Sequence, residues 1–134
     1  MRQWADLHAA TGVPVWLYHM AHVPPAFKLY DPDNPDLRLE GSVRVGAYHS
    51  GDLAFVFGNT RRVGLHWNED DHQLADIMAD CWTQFAKTGD RGKAVVWPRY
   101  STNRRDTLVF DKGSHVVQGV RAEKLAAMKA GMKL

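Results

Sequence analysis

A single cysteine, Cys81, excludes a disulfide within the chain and leaves most zinc frameworks without ligands. Long apolar runs are missing as well, and none approaches the ~20 residues needed to span a bilayer. Neither sign of charge dominates, with 17 Lys and Arg against 15 Asp and Glu and a net charge of +2. That balance implies neither nucleic acid nor a strongly anionic partner. Arg61-Arg62 and Arg104-Arg105 are isolated pairs of the kind that mark solvated turns. The first residues, Met1 to Asp6, are amphipathic and carry no secretory pattern, which leaves localisation open. Serine is scarce too. Ser42, Ser50, Ser101 and Ser114 are the only four, and none has glycines two residues away on both sides. The Gly-x-Ser-x-Gly turn that exposes a nucleophilic serine is therefore absent.

What is present reads as an ordinary globular chain, 45% hydrophobic and 24% charged. Its 134 residues suit one unit, 1–134, that would bury roughly two-thirds of its unfolded surface. Residues 2–10 read as a helix with Trp4 and Leu7 on one face, stopped by Gly12. Val13 to Tyr18 is almost continuously apolar, as in a strand covered on both faces of a parallel sheet, with Pro14 at its start. Helix, glycine and buried strand make one crossover of a doubly wound α/β fold.

Residues 21–45 form a loop rich in proline and charge, with Pro24, Pro25, Pro32 and Pro35. A loop of that length is either functional or a tolerated insertion. Gly51 to Phe57 reads as a short helix with Leu53, Val56 and Phe57 on one face, and Ala54 and Phe55 make it apolar nearly all round. The clearest periodicity runs over 71–87. Leu74, Ile77, Met78, Cys81, Trp82 and Phe85 fall on one helical stripe, with acids before it and Gly89 after it. Thr107 to Phe110 reads as a short final strand and 120–131 as a closing helix.

The most informative stretch is Gly46-Ala47-Tyr48-His49-Ser50-Gly51-Asp52, followed by an apolar turn that ends at Gly58. It resembles the catalytic-histidine segment of type B carboxylesterases, the cholinesterase-like branch of the α/β-hydrolase fold. Two more landmarks follow in order. Cys81-Trp82-Thr83-Gln84-Phe85-Ala86-Lys87-Thr88-Gly89-Asp90 is similar to the family's Tyr-Trp-x-x-Phe-Ala-x-x-Gly-Asp-Pro, with Cys81 in place of the aromatic residue and Arg91 in place of the proline. Trp97-Pro98-Arg99-Tyr100 is similar to Trp-Pro-x-Tyr. Single matches of this kind are weak, whereas three in sequence with sensible spacing are specific.

In this fold the triad comes in the order serine, acid, histidine. The resemblance therefore implies a C-terminal portion that holds His49 as general base and acid, with the serine and the acid upstream. Histidine suits the task because its unperturbed pKa lies near neutrality. Asp52 and Gly46 are assigned supporting roles, Asp52 through hydrogen bonding or helix capping. The implied substrate is a small-molecule carboxylic ester, handled through an acyl-serine without metal or organic cofactor. An incomplete sheet implies an N-terminal complementing part or self-association. The alternative function is a non-catalytic cholinesterase-like binding module.

His19 and His22 form a His-x-x-His pair, but residues three apart on a strand face opposite ways and no third ligand is evident. The resemblance makes His22 a structural residue. His8, His66, His72 and His115 have polar neighbours and read as surface residues. Cys81, on the buried stripe, reads as a small hydrophobe.

Overall fold

The computed structural model describes residues 2–25 and 46–132. Most of the loop expected over 21–45 lies outside the described residues. Elsewhere the chain alternates helices with three strands. These are α1 (Arg2–Ala9), β1 (Tyr18–Met20), α2 (Leu53–Val56), α3 (Glu69–Thr88), β2 (Asp106–Phe110), β3 (His115–Gln118) and α4 (Ala122–Gly131). The sheet order is β1-β2-β3, with β1 parallel to β2 and β2 antiparallel to β3. Tyr18 stands beside Leu108 and Met20 beside Phe110.

The regular strand begins later than the apolar run suggests. Val13 to Leu17 is extended but not laddered, and it is held at separate points. Val15 carbonyl accepts from the Tyr100 amide at 2.7 Å, and Leu17 carbonyl accepts from the Leu108 amide at 3.0 Å. Trp97 Nε1 also donates to Leu17 carbonyl at 3.1 Å. Val13 and Pro14 are exposed and Val15 to Leu17 half-buried, because the described chain covers one edge of the segment and leaves the other open. β2 is the strand buried along its whole length. The strand expected to be last is followed by β3, turned back through Asp111 to Ser114.

α3 follows its sequence signals closely. Asn68 caps it and forms a capping box with Asp71, and three acids in the first turn complement the helix dipole. Leu74, Ala75, Met78 and Cys81 are buried against Phe55, Trp97, Leu108 and Phe110. The buried stripe stops at Cys81, and Phe85 is 50% exposed. Gly89 ends the helix with φ 72° and donates to Phe85 carbonyl at 2.8 Å. A side chain there would strain the left-handed cap, so Gly89→Ala is expected to cost about 1 kcal/mol in urea unfolding.

The short helices bury different residues from those expected. In α1, Ala5 faces the core while Trp4 and Leu7 are exposed. In α2, Phe55 is the buried residue, held edge-on to Trp67 at 5.5 Å, whereas Leu53 and Phe57 face outward. Apolar composition alone marks these helices as contact-making; it does not say which side contacts this chain.

Tyr100 ties α1 to the core by donating to Asp6 Oδ1 at 2.6 Å. Burial, then this hydrogen bond, pushes its phenol from an ordinary 10.0 up to about 12. The folded state keeps the proton longer than the unfolded chain, so stability should fall as pH rises from 10.0 through about 12. Tyr100→Phe should flatten that alkaline limb when urea midpoints are compared across the range.

Candidate active site

His49 sits at the tip of a tight turn. Gly46 enters it with φ 66° and Ser50 adopts φ 64°, a left-handed conformation uncommon for serine. Gly51 closes the turn, its amide donating to Tyr48 carbonyl at 3.1 Å. A Cβ on Gly51 would lie 3.0 Å from Pro24 Cγ and 3.1 Å from Tyr48 carbonyl oxygen, so glycine permits the close approach. Tyr48 hydroxyl donates to Pro25 carbonyl at 3.0 Å, which fixes the turn to the segment leaving β1. His49 itself is exposed and lines an open cleft of about 880 Å³ that also takes in Trp4, Trp16, Tyr18, His19 and Asp52. Ser50 hydroxyl donates to His49 carbonyl, so it is engaged with backbone rather than with the imidazole.

Asp52 stands at the N-cap of α2 but makes no side-chain cap bond. Its Oδ2 instead accepts from Tyr18 hydroxyl at 2.7 Å. Burial first, then the Asp52 hydrogen bond and charge, push the Tyr18 phenol well above its usual range. The phenol therefore stays protonated and bridges β1 to the first turn after His49. Sequence inspection misses Tyr18, because the two residues are 34 positions apart.

The two histidines of the His-x-x-His pair go separate ways. His19 lines cavities at the β1 edge, and its pKa is lowered by burial and by nearby Arg121. His22 is 5% exposed, and its Nε2 is 2.6 Å from Asp71 Oδ1. Among the described residues, no group of three or more His, Cys, Asp or Glu side chains is placed to hold a metal. The His22–Asp71 pair was not foreseen, although Asn68-x-x-Asp71 was readable as a capping pattern. Cys81 is 1% exposed, and burial raises its thiol pKa, with Asp80 adding and Arg91 partly offsetting. Such a thiol is a poor nucleophile. No helix among the described residues is long and apolar enough to cross a membrane.

Among the described residues β1 is an edge strand. Val15 and Leu17 carbonyls and the Ala21 amide all bond toward β2 and its flanking residues. By alternation, the backbone groups of Trp16, Tyr18 and Met20 point to the opposite edge, where no described strand lies.

A buried central strand, a mixed sheet with flanking helices and a glycine-framed histidine turn beyond the strand define part of an α/β-hydrolase domain. The solved structures agree. A carboxylesterase of Geobacillus stearothermophilus superposes with a TM-score of 0.70 at 29% identity, over 95% of this chain and 24% of that one. An esterase of Clostridium hathewayi, described as able to hydrolyse aliphatic aromatic polyesters, superposes with a TM-score of 0.72 at 25% identity, over 93% and 23%. The carboxylesterase family profile matches residues 1–128, and the chain belongs to that family. It is 31% identical over 129 residues to carboxylesterase 4A of Bos taurus, covering 95% of this chain and 21% of that protein. With the para-nitrobenzyl esterase of Bacillus subtilis it shares 29% over 116 residues, covering 83% and 21%. The chain thus spans about a fifth of the length of these relatives.

Proposed function

We propose that this chain is the C-terminal, histidine-supplying part of a serine carboxylic-ester hydrolase. The observation that carries the reading is His49, aimed into an open cleft from a glycine-framed turn in a carboxylesterase-family chain. In the assembled enzyme His49 takes the proton of a serine hydroxyl supplied by the upstream part as that oxygen attacks the ester carbonyl. It then returns the proton to the leaving alcohol, which frees the alcohol and leaves an acyl-serine. A water deprotonated by the same imidazole releases the acid and restores the serine. General acid–base work of this kind is worth about 10²–10⁴ in rate.

Gly46 supports the turn through its left-handed backbone, and Asp52 supports it through Tyr18. The upstream part covers the open edge of β1 and the exposed faces of Trp4, Leu7 and Leu53; without it the chain self-associates. Lacking a framed serine, the chain alone is inactive, since loss of a triad nucleophile costs about 10⁶ in turnover. Sequencing the DNA upstream of the Met1 codon in all frames tests this reading. A frame encoding Gly-x-Ser-x-Gly supports it. Absence of any such frame would favour a binding module on the same scaffold.

A further inference from the structure

The turn that carries His49 belongs to no helix or strand, so its aim depends on what holds it from outside. One tie is the Tyr18–Asp52 hydrogen bond, on the C-terminal side of the histidine. A second runs to the segment 22–25. Tyr48 hydroxyl donates to Pro25 carbonyl at 3.0 Å, and Gly51 closes on Pro24, where a Cβ would stand 3.0 Å from Cγ. Pro24 and Pro25 are themselves fully buried. Such a seat is only as rigid as whatever fixes the segment beneath it.

His22 supplies that fixing. Its amide donates to Phe110 carbonyl at 3.0 Å, which sets it on the β2 side of β1, away from the open edge. It is 5% exposed and is not among the residues that line the His49 cleft. Nε2 lies 2.6 Å from Asp71 Oδ1 on α3, and Nδ1 lies 3.9 Å from Asp111 Oδ1 in the turn after β2. An ionised carboxylate only accepts, so the 2.6 Å contact needs the proton on Nε2. The ring also stands edge-on to Phe55 of α2, at 5.6 Å. One imidazole thus braces α3, the end of β2 and α2, and α2 begins directly after the His49 turn. Asp71 is held in its own right, because its Oδ2 accepts from the Asn68 amide in the α3 cap.

We propose that His22, fixed by Asp71, is a positioning residue for His49 and acts through Pro24 and Pro25 on the Tyr48 side of the turn. The inference rests on the reading of His49 as general base. A catalytic group must be held within about 0.5 Å of its productive position, which a turn without a ladder of its own does not achieve alone. His22 holds the seat from within the core and takes no proton from the serine.

Ester hydrolysis by the chain co-expressed with its upstream part tests the proposal, at a temperature where circular dichroism shows each variant folded. His22→Leu keeps bulk and removes the donor, and kcat is expected to fall by about tenfold or more with KM changed by less than about twofold. His22→Gln returns an N–H toward Asp71 and should recover most of that loss. Tyr48→Phe removes only the hydroxyl at the other end of the path, and its loss in kcat should not add to that of His22→Leu in the double variant. A residue that merely stabilised the fold would lower the urea midpoint and leave kcat of the folded enzyme unchanged. Full kcat in folded His22→Leu, no recovery by folded His22→Gln, or additive losses in the double variant would each overturn the proposal. If His22→Leu does not fold, full kcat in Tyr48→Phe overturns it. Activity that survives His49→Ala would instead sink the reading of His49 itself, whereas activity lost with His49→Ala and kept in the His22 and Tyr48 variants would remove the positioning role alone.

Discussion

Replacing His49 with alanine in the assembled enzyme is expected to lower ester hydrolysis by on the order of 10⁶ in kcat, with little change in KM. The size of the loss follows from the role. A triad acts as a unit, so removing the base costs nearly as much as removing the nucleophile. Asp52→Ala and Tyr18→Phe should behave differently. They leave the imidazole in place and loosen only the 2.7 Å contact that joins its turn to β1. Misplacement of that kind costs about 10²-fold or less. The contrast between these variants separates the base from the residues that hold it. Steady-state rates with a chromogenic ester provide the measurement. Equal losses at His49 and Asp52 would mean that the roles have been assigned wrongly.

Asp71→Ala is expected to remove about 3–5 kcal/mol of stability, the cost of stripping one partner from a buried pair. Asp71 is completely buried and serves two ends of the structure at once. Its Oδ2 accepts from the Asn68 amide at 2.8 Å and completes the capping box of α3. Its Oδ1 meets His22 Nε2 at 2.6 Å. His22 is in turn fixed by its own amide, which donates to Phe110 carbonyl at 3.0 Å at the end of β2. Removing the carboxylate therefore opens one half of the α3 capping box, with Asn68 still capping, and takes from His22, 5% exposed, its 2.6 Å partner, leaving Asp111 at 3.9 Å from the other ring nitrogen. Asp71→Asn keeps the shape and an acceptor, and should cost only about 1–3 kcal/mol. Urea unfolding of both variants, followed by tryptophan fluorescence, gives the two values. A loss under about 1 kcal/mol for the alanine variant would show that the pair contributes little net free energy.

α3 was legible almost to the residue because its signals are local. A capping side chain, a 3.6-residue stripe and a terminal glycine all act within a few turns. β2 was legible from its apolar run, whereas β3 was not. His115-Val116-Val117-Gln118 exposes both end residues and half-buries its two adjacent valines, so no alternation stands out. The buried faces of α1 and α2 were misread for a different reason. Trp4, Leu7, Leu53 and Phe57 are apolar, yet they look away from this chain's core. Periodicity reports that a face is apolar and is silent about which chain covers it. The turn that carries His49 is framed by Gly46 and Gly51, close enough along the chain for the frame to be read directly. The Tyr18–Asp52 bridge and the His22–Asp71 pair join residues 34 and 49 positions apart, so only the fold brings them together.

The account rests on one chain supplying the base to a serine carried elsewhere. Its most direct test is hydrolysis of a p-nitrophenyl ester by the purified chain, alone and after co-expression with the product of the upstream reading frame. The expected result is no enzymatic rate for the chain alone, activity once the two parts co-purify, and loss of that activity with His49→Ala. Turnover by the chain alone, or a stable complex that hydrolyses nothing, would contradict it.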